Sequence, residues 1–179
     1  MGLTRGACIA AALLVSCGGR AQVVTDGGTE AEVPSASCPA AAAPAGSCSA
    51  LVVSGEPVVV GASSGPAPTP SGGTIEDGTY VLMASTFYGE AAPSEEDRIT
   101  WLVCGSAWAT AQETRLDGGS PQLLLLDATV TASGTSLGVD VTCGPRSSTT
   151  FGFDASPGML RLYVTGYAPG LRVDTLVRM

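Results

Sequence analysis

Histidine, lysine and asparagine are all missing from this chain of 179 residues. Without histidine it lacks the commonest general base at neutral pH and the commonest nitrogen ligand for a metal. Its cations are eight arginines against sixteen carboxylates, a net charge of −8. That balance argues against a nucleic-acid partner, whose phosphates need clustered Lys and Arg. It argues equally against a polybasic contact with anionic lipid. Long apolar runs are missing too. Gly6 to Val15 is roughly half of the ~20 residues that cross a bilayer, and Leu123 to Leu126 is shorter still. No stretch carries the period of an amphipathic helix of useful length.

Aromatic residues are few, and none precedes Tyr80. The segment before it is rich in Ala, Pro, Ser and Gly, as in Pro39 to Pro44 and Gly65 to Pro70. Such composition buries too little apolar surface to offset chain entropy and predicts a disordered tether. Two apolar runs interrupt it, Leu51 to Val53 and Val58 to Val60. They could pair as a small hairpin or add an edge strand to the following domain.

From about Ile75 the pattern is one of short β-branched and aromatic runs between turn clusters. Strands are predicted near Thr79 to Tyr88, Ile99 to Cys104, Trp108 to Arg115, Gln122 to Ala132, Thr135 to Cys143, Thr149 to Asp154, Gly158 to Thr165 and Leu171 to Arg178. Glu90 to Asp97 reads as a turn. Alternation assigns faces: Leu137, Val139, Val141 and Cys143 on one side; Leu160, Leu162 and Val164 against Arg161 and Thr165; Val173, Thr175 and Val177 against Arg172, Asp174 and Arg178. The expected fold is all-β, a small antiparallel up-and-down barrel or a sandwich of about eight strands. The opening strand is apolar on both faces, which calls for a cover.

The N-terminus reads as a secretory signal: Arg5, an apolar stretch, then small residues. Leu14-Val15-Ser16-Cys17 resembles the lipobox of bacterial lipoproteins. The resemblance implies cleavage before Cys17, diacylglyceryl and further acyl (palmitate-type) chains on that residue, and a membrane-held mature chain. Gly18 in place of Asp leans towards the outer membrane. The expected organisation is a signal over 1–16, a lipidated cysteine and flexible linker over 17–74, and an all-β domain over 75–179. Cys8 would leave with the signal, so Cys38, Cys48, Cys104 and Cys143 remain, an even number suited to disulfides in an oxidising compartment. Locality favours Cys38 with Cys48 and Cys104 with Cys143.

Asp77-Gly78-Thr79-Tyr80-Val81-Leu82 resembles the Gly-x-aromatic opening of lipocalin-like barrels, and Val173 to Arg178 is similar to their basic-tipped last strand. Carried over, Tyr80 would plug the closed end and Arg178 would pack beside it. The usual plug is Trp, so the match is partial. The whole chain also resembles uncharacterised lipoproteins of high-GC soil bacteria, a likeness that implies no activity.

Motifs that look catalytic lack their context. Gly61 to Gly65 and Gly134 to Gly138 both match Gly-x-Ser-x-Gly, yet neither precedes a helix and no histidine exists to take the proton. Cys104 to Trp108 is similar to the papain-type signature, but Ala107 stands at the nucleophile position. Glu95-Glu96-Asp97 beside Arg98 lacks a calcium-loop pattern and reads as a solvated loop. Asp127, Asp140, Asp154 and Asp174 are placed on outward faces. No catalytic residue, metal or cofactor is assigned.

The expected function is therefore a lipid-anchored cell-envelope protein acting by binding or as structure, with a small apolar ligand or an envelope protein as partner. A ligand cavity would be lined by Tyr80, Leu82, Leu124, Leu126, Leu137, Val139, Phe151, Phe153, Leu160 and Leu162. The alternative is a surface module that docks a protein or polysaccharide through exposed Trp101, Trp108, Tyr88 and Tyr163; an envelope hydrolase is the weakest reading. A void in the barrel favours the carrier over the surface module.

Overall fold

The computed structural model describes residues 38, 48–166 and 170–179. The expected signal and the lipid site at Cys17 lie outside them. Ten strands form one sheet: β1 (Val58–Val59), β2 (Gly61–Ser63), β3 (Gly78–Gly89), β4 (Glu95–Cys104), β5 (Ala107–Leu116), β6 (Gln122–Ser133), β7 (Ser136–Cys143), β8 (Ser148–Ser156), β9 (Met159–Val164) and β10 (Gly170–Arg178). Strands β3 to β10 each pair antiparallel with the next. β3 then pairs with β10, so the sheet closes into an up-and-down barrel of eight strands. The sandwich alternative is excluded by that closure.

Eight of the ten strands lie where the β-branched and aromatic runs between turn clusters put them. The largest boundary shift is at β4, which starts at Glu95 rather than Ile99. Glu95 and Asp97 are thereby strand residues with buried side chains, not part of a solvated turn. Tight turns connect the strands at the lower end, where Gly105, Gly134 and Gly158 adopt positive φ. The lower interior is packed by Tyr80, Leu137, Phe153, Leu160 and Leu176, all almost fully buried. Tyr80 sits beside Arg178 in the β3–β10 register and donates its hydroxyl to the Glu76 carbonyl at 2.8 Å. Arg178 pairs with Glu76 at 2.9 Å.

Two bulges change which residues face inward. Between β3 and β10 the register skips Met83, so Leu82 pairs with Leu176 and Ser85 with Asp174. Between β6 and β7 it skips Thr142, so Val141 faces Ala128 but Cys143 faces Asp127. Cys143 therefore turns to the outer wall, not to the side of Leu137, Val139 and Val141.

The face assigned to the last strand is reversed as well. Arg172 and Asp174 line the interior, and Val173 points outward. Val173 is nevertheless buried, as is its outward-facing neighbour Tyr163 on β9. The cause is the segment before the barrel. Ser63 pairs with Tyr88 beside β10, and the Ser71 amide and hydroxyl donate to Asp154 on β8. Residues 64–70 between these anchors cross the wall over β10 and β9. Pro70 sits so close to Gly152 that a Cβ there would lie 2.5 Å from its ring.

The same segment covers the other side. The Ser49 amide donates to Asp127 on β6 at 2.9 Å, and the Ser54 amide to Thr100 on β4 at 2.6 Å. The path between them crosses Ala109 and Ala111 of β5, which are buried although they face away from the interior. Gly55 lies against Val81, part of the cover that the two-sided opening strand requires. β3 and β4 pair only over Gly78–Val81 and then part. β1 fills the gap on the β4 side and β2, parallel, on the β3 side. The two apolar runs thus form no hairpin with each other; one supplies an edge strand. From Cys48 onward the expected tether is bound to the barrel.

The disulfides join Cys38 to Cys104 and Cys48 to Cys143, with Cα separations of 5.5 and 5.3 Å. The local pairing is overturned for a topological reason. β4 runs down and ends at Cys104; β7 runs up and ends at Cys143, at the opposite end of the barrel. The links span 66 and 95 residues and fasten the segment to the wall, each worth about 4–5 kcal/mol by chain-entropy reckoning.

Candidate functional site: the barrel cavity

Above the packed floor the barrel holds a cavity of about 270 Å³. An eight-stranded barrel is just wide enough either to fill with side chains or to keep room for one small ligand. Here it does the first below and the second above. Trp101 and Trp108 form one wall, their rings edge-on with centroids 5.1 Å apart. They are adjacent because Trp101 on β4 and Trp108 on β5 face the interior from neighbouring strands. Leu126, Val139, Val141 and Phe151 form the opposite side, and the exposed Ser147 and Thr149 mark the rim.

Four of the expected lining residues do line the cavity: Leu126, Val139, Phe151 and Leu162. Tyr80, Leu82, Leu137, Phe153 and Leu160 belong to the packed interior instead. Leu124 is 37% exposed and does not line this cavity. Leu116 and Leu123, also near the top of β5 and β6, are exposed as well. The aromatics assigned to an outer docking surface are also displaced. Trp108 and Tyr163 are buried, and Trp101 faces the cavity. The Trp108 indole donates to the Gly105 carbonyl at 3.0 Å; that of Trp101 is buried with no acceptor among the described residues.

The polar wall went unrecognised in the sequence. Arg172 is 1% exposed, Glu95 8%, Asp97 0% and Asp174 6%. The Arg172 guanidinium donates to Glu95 Oε1 at 2.7 Å, to Asp97 Oδ2, and through Nε to Asp174 Oδ1 at 2.7 Å. Ser85 donates to the same Asp174 oxygen at 2.6 Å. Thr114 and Gln112 of β5 donate to Asp97 Oδ1. Arg172, Asp174 and Gln112 reach the cavity surface. The signal that was available is Leu176. It shares parity with Arg172 and Asp174, so a strand with Leu176 inside must put them inside too.

Three buried carboxylates around one guanidinium do not titrate alike. Burial pushes Glu95 up, aided by its hydrogen bond with Asp97. Asp97 is held below the usual range: burial opposes this, but donors from Thr114, Glu95 and Arg172 outweigh it. Burial raises Asp174 despite Arg172. Burial works against the Arg172 charge, yet Asp174 and Asp97 keep it fully protonated. On the outer wall, burial and its bond to Asp154 push the Tyr163 hydroxyl up to about 12.

Among the described residues neither serine motif forms a nucleophile with its base. Ser63 lies in β2 and Ser136 opens β7, so neither Gly-x-Ser-x-Gly stretch makes a strand-to-helix elbow. Among the described residues no group of three or more His, Cys, Asp or Glu is placed to hold a metal ion. Among them, too, no helix is long and apolar enough to cross a membrane. No protein-family model matches the chain, and no curated protein or solved structure matches it.

Proposed function

We propose that this protein is a non-catalytic binder of a small, mainly apolar ligand, exported and held at the cell envelope by lipid on Cys17. The cavity carries the reading. It is lined mainly by apolar and aromatic side chains, with a few polar groups among them, chiefly Arg172, Asp174, Gln112 and Thr110, as small-molecule sites are. At about 270 Å³ it lies at the small end of ligand sites. The site's ionisable groups are engaged with one another, and the chain has no histidine, which favours binding over proton transfer. Export is supported by the lipobox-like Leu14 to Cys17 and by two disulfides.

The test uses a convenience of composition. The chain has only two tryptophans, and both line the cavity. Titrating the disulfide-intact protein with hexan-1-ol should give a saturable change in tryptophan emission. Val139→Phe, which fills the space, should weaken it at least tenfold. A response that never saturates, or that Val139→Phe leaves unchanged, overturns the binding reading. The anchor is tested separately: Cys17→Ala should move the protein from the membrane fraction to the soluble one.

A further inference from the structure

The chemistry of the cavity wall says which kind of small molecule fits. We infer that the occupant is a small amphiphilic organic cation, an ammonium on an alkyl or aryl body, whose charged end meets Asp174. This rests on the reading of the cavity as a ligand site.

The first observation is the charge imbalance. Arg172 is the only cation lining the cavity, and its Nε and both terminal nitrogens already bind carboxylates. An incoming anion would add to an excess of negative charge around a guanidinium that already serves three carboxylates. A cation would reduce that excess.

The second observation is an open acceptor. Asp174 is more than nine-tenths buried and lines the cavity. Both of its hydrogen bonds, from Arg172 Nε and Ser85 Oγ, fall on Oδ1. Oδ2 has no hydrogen-bond partner among the described residues. Burial of the residue raises the Asp174 pKa, and Oδ2 is not among the fully buried side-chain atoms left without a partner, so it opens onto the cavity. An ammonium N–H donor would satisfy it. The third observation is the remainder of the wall: Trp101, Trp108 and Phe151 supply aromatic rings that attract a cation and accept an apolar body.

The experiment compares three probes of one length, hexylammonium, hexan-1-ol and hexanoate, by calorimetry and tryptophan emission near neutral pH. Hexylammonium should bind at least tenfold more tightly than hexan-1-ol, and hexanoate more weakly than either. In Asp174→Asn the advantage of the cation should vanish while hexan-1-ol affinity stays. Should that variant fail to fold, the wild type still decides. Acidification protonates Asp174, so hexylammonium affinity should fall with pH while that of hexan-1-ol stays flat. The groups around Asp174 in that titration are Arg172 on its own strand, Ser85 on β3, Glu95 and Asp97 on β4, and Gln112 and Thr114 on β5. Equal affinities, or a preference for hexanoate, overturn the cation inference and leave the ligand site standing. Binding by none of the three overturns both.

Discussion

The lower and upper halves of this barrel are built from the same strands yet filled in opposite ways. Below, Tyr80, Leu137, Phe153, Leu160 and Leu176 leave no room. Above, β10 presents Arg172 and Asp174 to a partly empty space, with Glu95 and Asp97 of β4 buried behind them. The lower half is what closing a barrel of eight strands requires for stability. The upper half holds a guanidinium and three carboxylates out of water, which a purely structural core would replace with apolar side chains at no loss. The difference separates the part that keeps the barrel folded from the part that can receive something.

The comparison is broken most severely by removing the one cation. Arg172→Met should cost about 3–5 kcal/mol, since three buried carboxylates lose their only countercharge; a shift in the urea midpoint worth under about 1 kcal/mol would show that the cluster is hydrated. Equal truncations in the two halves sharpen it. Leu160→Ala should cost about 3 kcal/mol, because a packed floor cannot collapse around the gap. Leu126→Ala, beside an existing cavity and half-buried, should cost about 1 kcal/mol. Similar losses at the two sites would mean that the upper half is packed in solution.

The smallest effect is pH dependence. Glu95 and Asp174 have folded pKa values above their unfolded ones. What they contribute is present on the acid side and is lost as pH rises through their folded values. Asp97 is depressed, so its contribution is lost only when pH falls through its low folded value. Thermal stability should therefore peak in the mildly acid range. Glu95→Gln should flatten the decline towards alkaline pH. A wild-type melting temperature that climbs steadily to pH 8 contradicts this.

Strand positions were legible because their signals are local. Each run from Thr79 to Arg178 is bounded by turn residues of its own, and several carry a period-two pattern. Faces were legible only while two conditions held: no bulge, and water on the other side. At Thr142 a bulge sends Cys143 outward, and at Met83 another shifts the parity of β3. At Val173 the outer side is covered, so an apolar residue no longer marks the interior. Leu124 shows the converse, an inward-parity leucine that ends at the solvent-exposed rim.

By itself the chain determined an all-strand domain, the approximate place of every barrel strand and the use of four cysteines as bridges. These follow from side chains and neighbours a few positions apart. Closure decided the rest: which cysteine met which, where Ala- and Pro-rich residues ran across the outer wall, and that Arg172 and Asp174 turned towards the two tryptophans. Those outcomes depend on strand direction and register around a ring. Groups from opposite ends of the sequence meet only once the last strand has bonded to the first.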